Sequence, residues 1–327
     1  MRRREFFKLL FGGAASWPLA ARAQANSERR VAALWPFNEE EAEAKTLLAA
    51  LQQGLREFGW VNVRIESRWG GGNLERTRAY AAELVQLSPD VIFAYFNAQL
   101  APLSRETSKI PIVFVGASDP VGAGYVASLP HPGGNITGFT LYEPSLAGKW
   151  LGVLKEVAPR LTRVALLINP ETAVLGGTFY SKAFEAAAAS LGIEPIVAKV
   201  YSSADIENTI EALGKQPVSG LIVAPDTFSE INGTSIVSLA AQHHVPAVYA
   251  ISLFARAGGL MSYGPNTPYA IRQAASYVDR ILRGEKAADL PVQAPVKFDL
   301  IVNLKAAKML GLVIPESFLL RADEVIE

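Results

Sequence analysis

Apolar runs with the character of buried strands alternate with helical-period stretches along almost the whole chain, and the alternation occurs twice. Residues 31–35 are continuously apolar, as in a strand covered on both faces. Leu47, Leu48, Leu51, Leu55 and Phe58 then recur on one helical face, up to a stop at Gly59. A strand at 63–67, a glycine turn at 70–73, a helix carrying Leu74, Tyr80, Ala81, Leu84 and Val85, and a strand at 91–95 continue the series. Strands at 112–115 and 135–139 follow. The order then restarts: strand 163–168, helix 184–191, strand 195–200, helix 206–213, strand 221–224, helix 236–241 and strand 247–250. Gly59 and Gly192 stand 133 positions apart, and Pro111 and Pro246 stand 135 apart, so the two series read as one plan used twice. Alternating strands and helices dictate parallel βαβ units. The expected fold class is α/β, with two doubly wound, Rossmann-like lobes.

The stretch 110–145 marks the passage from one lobe to the other. It holds a buried strand, the loop Ser118-Asp119-Pro120, a glycine-rich segment, a second strand and a helix start at Glu143-Pro144-Ser145. A late excursion returns: strand and turn at 259–264, a helix through Ala274, Tyr277, Val278 and Ile281, a proline-containing connector at 287–295, a strand at 298–302 and a helix at 305–310. The expected lobes are therefore 24–141 with 264–290, and 142–263 with 291–327, joined by a hinge of more than one strand.

Residues 1–23 read as an address. Arg2-Arg3-Arg4 precedes a weakly apolar segment, and Ala21-Arg22-Ala23 is a small-x-small cleavage site after Ala23. Arg3-Arg4-Glu5-Phe6-Phe7-Lys8 resembles a twin-arginine export signal, with a general secretory signal as the alternative. The apolar part is shorter than the ~20 residues of a membrane span. With the leader removed, 26 basic side chains face 30 acidic ones, which gives no electrostatic case for nucleic acid or an anionic membrane. The chain has no cysteine, so disulfides, thiolate metal sites and a cysteine nucleophile are excluded.

Open α/β sheets bind ligands beyond the carboxyl ends of their strands. The residues there are hydroxyls, amides and aromatics with few bases. Asn97, Ser118, Thr140, Asn169 and Thr172 offer hydrogen bonds, and Asp119 or Asp226 could pair with an ammonium group. Trp35, Phe37, Tyr142, Tyr249 and Tyr263 could wall an apolar group, each burying ~150–250 Å². Packing in the core is the alternative role for the aromatics, and a turn or helix cap for the aspartates. Gly122-x-Gly124-x-x-Ala127 fits a loose dinucleotide fingerprint but does not sit in the first βα turn, so no nucleotide cofactor is expected. His131, His243 and His244 are ill-spaced for zinc. No G-x-S-x-G elbow or phosphate loop occurs, and Glu143 reads as a first-turn acid rather than a catalytic base.

At Ser118-Asp119-Pro120-Val121-Gly122-Ala123-Gly124 and Pro132-Gly133-Gly134-Asn135-Ile136-Thr137-Gly138 the chain resembles the extracytoplasmic substrate-binding proteins of ABC importers, in the tryptophan/phenylalanine-binding-like group. Asn169-Pro170, 259–264, 275–284, 302–308 and Gly311-Leu312 agree with it. The resemblance implies a type I periplasmic-binding fold, three crossings and closure on a small organic solute, amino-acid-like or an aromatic acid. It implies a monomeric periplasmic receptor serving an inner-membrane ABC permease, without cofactor or catalysis. The ligand contacts it implies are Asn97, Ser118, Asp119, Thr140, Asn169, Thr172, Asp226 and Tyr263. The rival readings are an exported enzyme on a similar fold and the sensor domain of a regulator.

Overall fold

The structure, a computed structural model, describes residues 29–327. The expected leader, with its cleavage site at Ala23, lies outside the described residues. Two sheets carry the fold. The first has five parallel strands, β1 (Arg30–Trp35), β2 (Arg64–Trp69), β3 (Val91–Tyr95), β4 (Ile112–Val115) and β5 (Ile136–Phe139), in the order β2-β1-β3-β4-β5. The second contains β6 (Arg163–Ile168), β7 (Glu194–Lys199), β8 (Ser219–Val223), β9 (Ala247–Tyr249), β10 (Met261–Pro265), β11 (Phe298–Asn303) and β12 (Glu324–Ile326). Its order is β12-β11-β10-β9-β8-β6-β7, and only the β10–β11 pair is antiparallel. The run β7-β6-β8-β9-β10 repeats the order of the first sheet strand for strand. The duplication expected from the sequence is therefore a duplication of topology.

The strand sequences follow from their positions. β1, β3, β4, β6, β8 and β9 are almost wholly buried and apolar, because helices cover both faces of a parallel sheet. The edge strands β2 (RIESRW) and β7 (EPIVAK) are half-exposed and mix charge with apolar residues. β7 also tolerates Pro195, which a central strand would not.

The helices α1 (Ala42–Glu57), α2 (Leu74–Gln86) and α3 (Asn97–Glu106) belong to the first lobe. Those of the second lobe are α4 (Leu146–Val157), α5 (Thr178–Leu191), α6 (Ser203–Gly214), α7 (Thr227–Ile231), α8 (Gly233–Gln242) and α9 (Ser252–Arg256). After β10 the chain returns to the first sheet. There α10 (Thr267–Leu282) packs on α1 and on β4. Gly54 makes this approach possible, since a side chain there would meet Ala275 and the Arg272 backbone. The chain then goes back to the second sheet for β11, α11 (Leu304–Met309), α12 (Glu316–Leu319) and β12.

Three crossings lie side by side. Phe139 forms a β-bridge with Gln293, and Thr140 N donates to the Gln293 carbonyl at 2.9 Å. Asn266 N donates to the Lys297 carbonyl at 3.3 Å. A pocket of about 210 Å³ lies beside them, lined by Thr140, Asn266, Tyr269, Tyr277 and Gln293 among others. Among the described residues no helix is long and apolar enough to cross a membrane.

Candidate functional site

The carboxyl ends of the two sheets meet, and a chain of aromatic rings runs through the junction. Phe37 follows β1 and stacks on Tyr95 at 6.1 Å. Tyr95 closes β3 and lies 4.2 Å from Phe96, which is 6.5 Å from Tyr142 after β5. Tyr142 is 6.5 Å from Trp150 of α4, and Trp150 is 5.6 Å from Tyr180 of α5. All six are buried. Phe96 reaches its place only with a positive φ of 67°, a strained conformation for a bulky residue, costing about 1–3 kcal/mol. Gly116 at the end of β4 leaves room for its ring, which any side chain there would strike.

The second lobe contributes acids and amides. Asp226 follows β8 and caps α7, its Oδ1 accepting from Ser229 N at 2.7 Å. Thr172 Oγ1 donates to the same oxygen at 3.3 Å, and Asn169 N to Oδ2 at 3.3 Å. Burial pushes the Asp226 carboxyl up to about 6, against the pull of these donors. Glu230, one turn further along α7, is 6% exposed. Its Oε1 accepts from Tyr95 OH at 3.3 Å, a bond between the lobes. Its Oε2 has no partner among the described residues. Burial, followed by the Glu43 carboxylate, raises the Glu230 carboxyl well above the usual range. Burial and then the neighbouring Glu230 raise the hydroxyls of Tyr95 and Tyr142 in the same way. A second bond between the lobes joins Ser118 Oγ and Tyr180 OH at 3.3 Å.

The structure gathers some of the residues expected from the sequence and separates others. Phe37 and Tyr142 belong to the aromatic chain. Asn97 opens α3 and locks the next loop, with Nδ2 donating to the Ser118 carbonyl at 3.1 Å and Oδ1 accepting from Ser118 N at 2.8 Å. Asn169, Thr172 and Asp226 form one bonded group. Asp119 sits in a turn, its Oδ1 accepting from Gly122 N at 2.9 Å. Thr140 belongs to the crossings, where its hydroxyl donates to the Gln293 carbonyl at 3.2 Å. Tyr249 packs edge-on to Phe254 at 5.3 Å, in the core of the second lobe. Tyr263 stacks on Phe298 at 5.9 Å, and its carbonyl accepts from Trp150 Nε1 at 2.7 Å. Trp35 is core of the first lobe, against Phe93 and Trp69.

Tyr95, Phe96, Tyr180 and Glu230 were not among the expected residues. Tyr95 and Phe96 stand just before Asn97, so starting the strand-end loop two positions earlier would have found them. Tyr180 and Glu230 lie inside helices, where sequence alone reads them as packing and as a first-turn acid. The assembled chemistry is that of recognition: rings for an apolar group, hydroxyls and amides for hydrogen bonds, and a buried acid. Ser118 Oγ is bonded to a tyrosine rather than to a base, and no group of metal-ligating side chains occurs among the described residues.

Comparison with known proteins places this architecture. A tyrosine-binding protein from Clostridioides difficile (strain R20291) is 24% identical over 267 residues, 80% of this chain and 76% of that protein. The crystal structure of an ABC domain in complex with L-Trp from Streptococcus pneumonia superposes with a TM-score of 0.84 at 24% identity, covering 92% of this chain and 100% of that one. The ligand-free, open structure of a substrate binding protein with adhesive properties from Clostridium difficile gives a TM-score of 0.66 at 23% identity, covering 91% and 99%. The sequence profile of the ABC transporter substrate binding proteins matches residues 39–326. With two parallel-sheet lobes, three crossings and that match over nearly its whole length, this chain belongs to the ABC transporter substrate binding protein family and is a solute-binding receptor of an ABC transporter.

Proposed function

We propose that this receptor works outside the cytoplasm, in the periplasm. There it would trap a small organic solute, amino-acid-like or an aromatic acid, between lobes 24–141 with 264–290 and 142–263 with 291–327. The carrying observation is the continuous run of buried rings from Phe37 to Tyr180, flanked by the hydrogen bonds Tyr95–Glu230 and Ser118–Tyr180 between the lobes. That arrangement corresponds to a closed clamshell. The better superposition on a structure holding L-Trp than on an open, ligand-free one supports the same assignment. Relatives that bind tyrosine and L-Trp support an aromatic solute.

The three adjacent crossings, tied by backbone hydrogen bonds, act as the hinge. Closure around the solute supplies the affinity, and the open–closed difference stays within a few kcal/mol so that the solute can be released to a permease in the inner membrane. The receptor acts as a monomer and makes or breaks no bond in the solute. An affinity in the micromolar range corresponds to about −8 kcal/mol.

The test is calorimetry and thermal-shift screening of the purified mature chain against amino acids, aromatic acids and aromatic amines. A true solute at one hundred times its Kd adds about 2.7 kcal/mol of stability and is recovered unchanged. Silence of the whole screen at millimolar concentration sinks the receptor assignment, and turnover of the solute favours the exported-enzyme reading instead.

A further inference from the structure

The two buried acids of α7 differ in one respect that bears on the solute. Every oxygen of Asp226 is engaged within its own lobe. Glu230, four residues on and equally buried, has one oxygen facing Tyr95 from the other lobe and one without any partner among the described residues. The Tyr142 hydroxyl is also buried and unpartnered among those residues. Resting on the receptor reading above, we propose that Glu230 is the counter-charge for a cationic nitrogen of the solute, and that this nitrogen, rather than a carboxylate, is the feature the closed crevice requires.

An unpaired carboxylate in a dry site is costly, and a hydrogen-bonded cation relieves that cost. An ammonium group has three donors and no acceptor. Glu230 Oε2 and the Tyr142 hydroxyl oxygen, without partners among the described residues, are acceptors of the needed kind. The charges that bear on Glu230 are Glu43, Asp226 and Glu41, all acids, so they reinforce the pull on a cation and oppose an anion. Among the described residues, the side-chain hydrogen bonds of Tyr95, Asn97, Ser118, Tyr180, Asp226 and Glu230 involve no lysine or arginine. A solute carboxylate therefore finds no ion-pair partner among these groups, and an amine needs none.

The experiment compares three probes of one ring system on the mature chain at neutral pH. Tryptamine carries only the ammonium, L-tryptophan carries ammonium and carboxylate, and indole-3-propionate carries only the carboxylate. Calorimetry is expected to show tryptamine and L-tryptophan binding to the native protein and indole-3-propionate not binding. Glu230→Gln is expected to weaken tryptamine by about thirtyfold or more, as for removal of one member of a buried charge pair, while melting no lower than the native chain. If Glu230→Gln fails to fold, Tyr95→Phe keeps the carboxylate and must keep the preference for amines. Indole-3-propionate binding as tightly as tryptamine, or undiminished tryptamine binding by Glu230→Gln, overturns the assignment and leaves the receptor standing. Failure of all three probes also overturns it. The receptor itself falls only if the wider screen is silent too, so the two failures are told apart.

Discussion

The two faces of the crevice are built on one strand order and differ in where they carry acids. The first lobe presents rings: Phe37 after β1, and Tyr95 and Phe96 at the end of β3. The second adds acids and amides to its own rings Tyr142, Trp150 and Tyr180: Asn169 after β6, then Asp226 and Glu230 after β8. Phe96 and Asp226 occupy the corresponding strand ends, after β3 and after β8. A duplicated scaffold therefore fixes where side chains can meet a guest, and leaves their identity free. The fold is a property of the strand order, whereas recognition depends on a few residues that the order does not determine.

The largest effect is expected in the ring run of the second lobe. Trp150 lies between Tyr142 and Tyr180, is fully buried, and ties its ring nitrogen to the Tyr263 carbonyl. Trp150→Ala leaves a large cavity and an orphaned carbonyl, and is expected to cost about 4 kcal/mol in urea denaturation. A cost below about 1 kcal/mol would show that this ring run is not what packs the second lobe.

The shared plan is tested next at the strands that lead into the crossings. In β5, Gly138 has a φ of 153°, and an added Cβ would overlap the Phe114 carbonyl oxygen of β4. In β10, a Cβ on Gly264 would overlap the Ala250 carbonyl oxygen just beyond β9. Both sites admit only glycine because a neighbouring backbone passes against them. Gly138→Ala and Gly264→Ala are each expected to cost about 3 kcal/mol, at the upper end of overpacking. Equal losses support one plan in both lobes, and a neutral result at either position breaks the equivalence there.

The same comparison separates what the sequence disclosed from what it hid. Hydrophobic period was enough for the strands and most long helices, because burial on both faces leaves an unmistakable apolar run. It missed α3, whose interior Pro102 and short polar start disguise a helix, and the brief α7, α9 and β12. At the junction of the sheets, Asn97, Ser118, Asn169 and Asp226 are legible as strand-end residues. The same rule also selected Thr140, Tyr249 and Tyr263, which the structure places at the crossings, in the core and on Phe298. A strand end has a place in the topology but no side-chain direction, since successive residues face opposite ways. Glu230 and Tyr180 meet partners 135 and 62 residues away, contacts with no local trace.

The buried acid that caps α7 should also appear in pH dependence. Asp226 has a carboxyl pushed up to about 6, from 3.8 in the free group. Between those values the folded chain binds more protons than the unfolded one, so stability falls as pH rises through the window. The protonated form gives its full contribution below about pH 3.8, and that contribution, at most about 3 kcal/mol, is lost above about pH 6. Asp226→Asn keeps an oxygen to accept from Ser229 N and cannot titrate. Denaturation at pH 4 and pH 7 is expected to show a smaller fall for the variant. An unchanged fall would mean that Asp226 is already ionised at pH 4 and that the acid character of this face rests on Glu230.

The smallest expected effect concerns an acid in a strand-end loop of the first lobe. Asp119 stands at the end of β4 and is half-buried, with a φ of 46°. Asparagine is tolerated in that left-handed region as readily as aspartate, and its side-chain oxygen can still accept from Gly122 N. Asp119→Asn is therefore expected to change stability by less than about 0.5 kcal/mol and to leave tryptamine affinity unchanged in calorimetry. If the variant instead loses tenfold or more in affinity, the Asp119 carboxylate faces the solute. The negative charge would then be shared by both lobes, and the difference in where they carry acids would no longer explain selectivity.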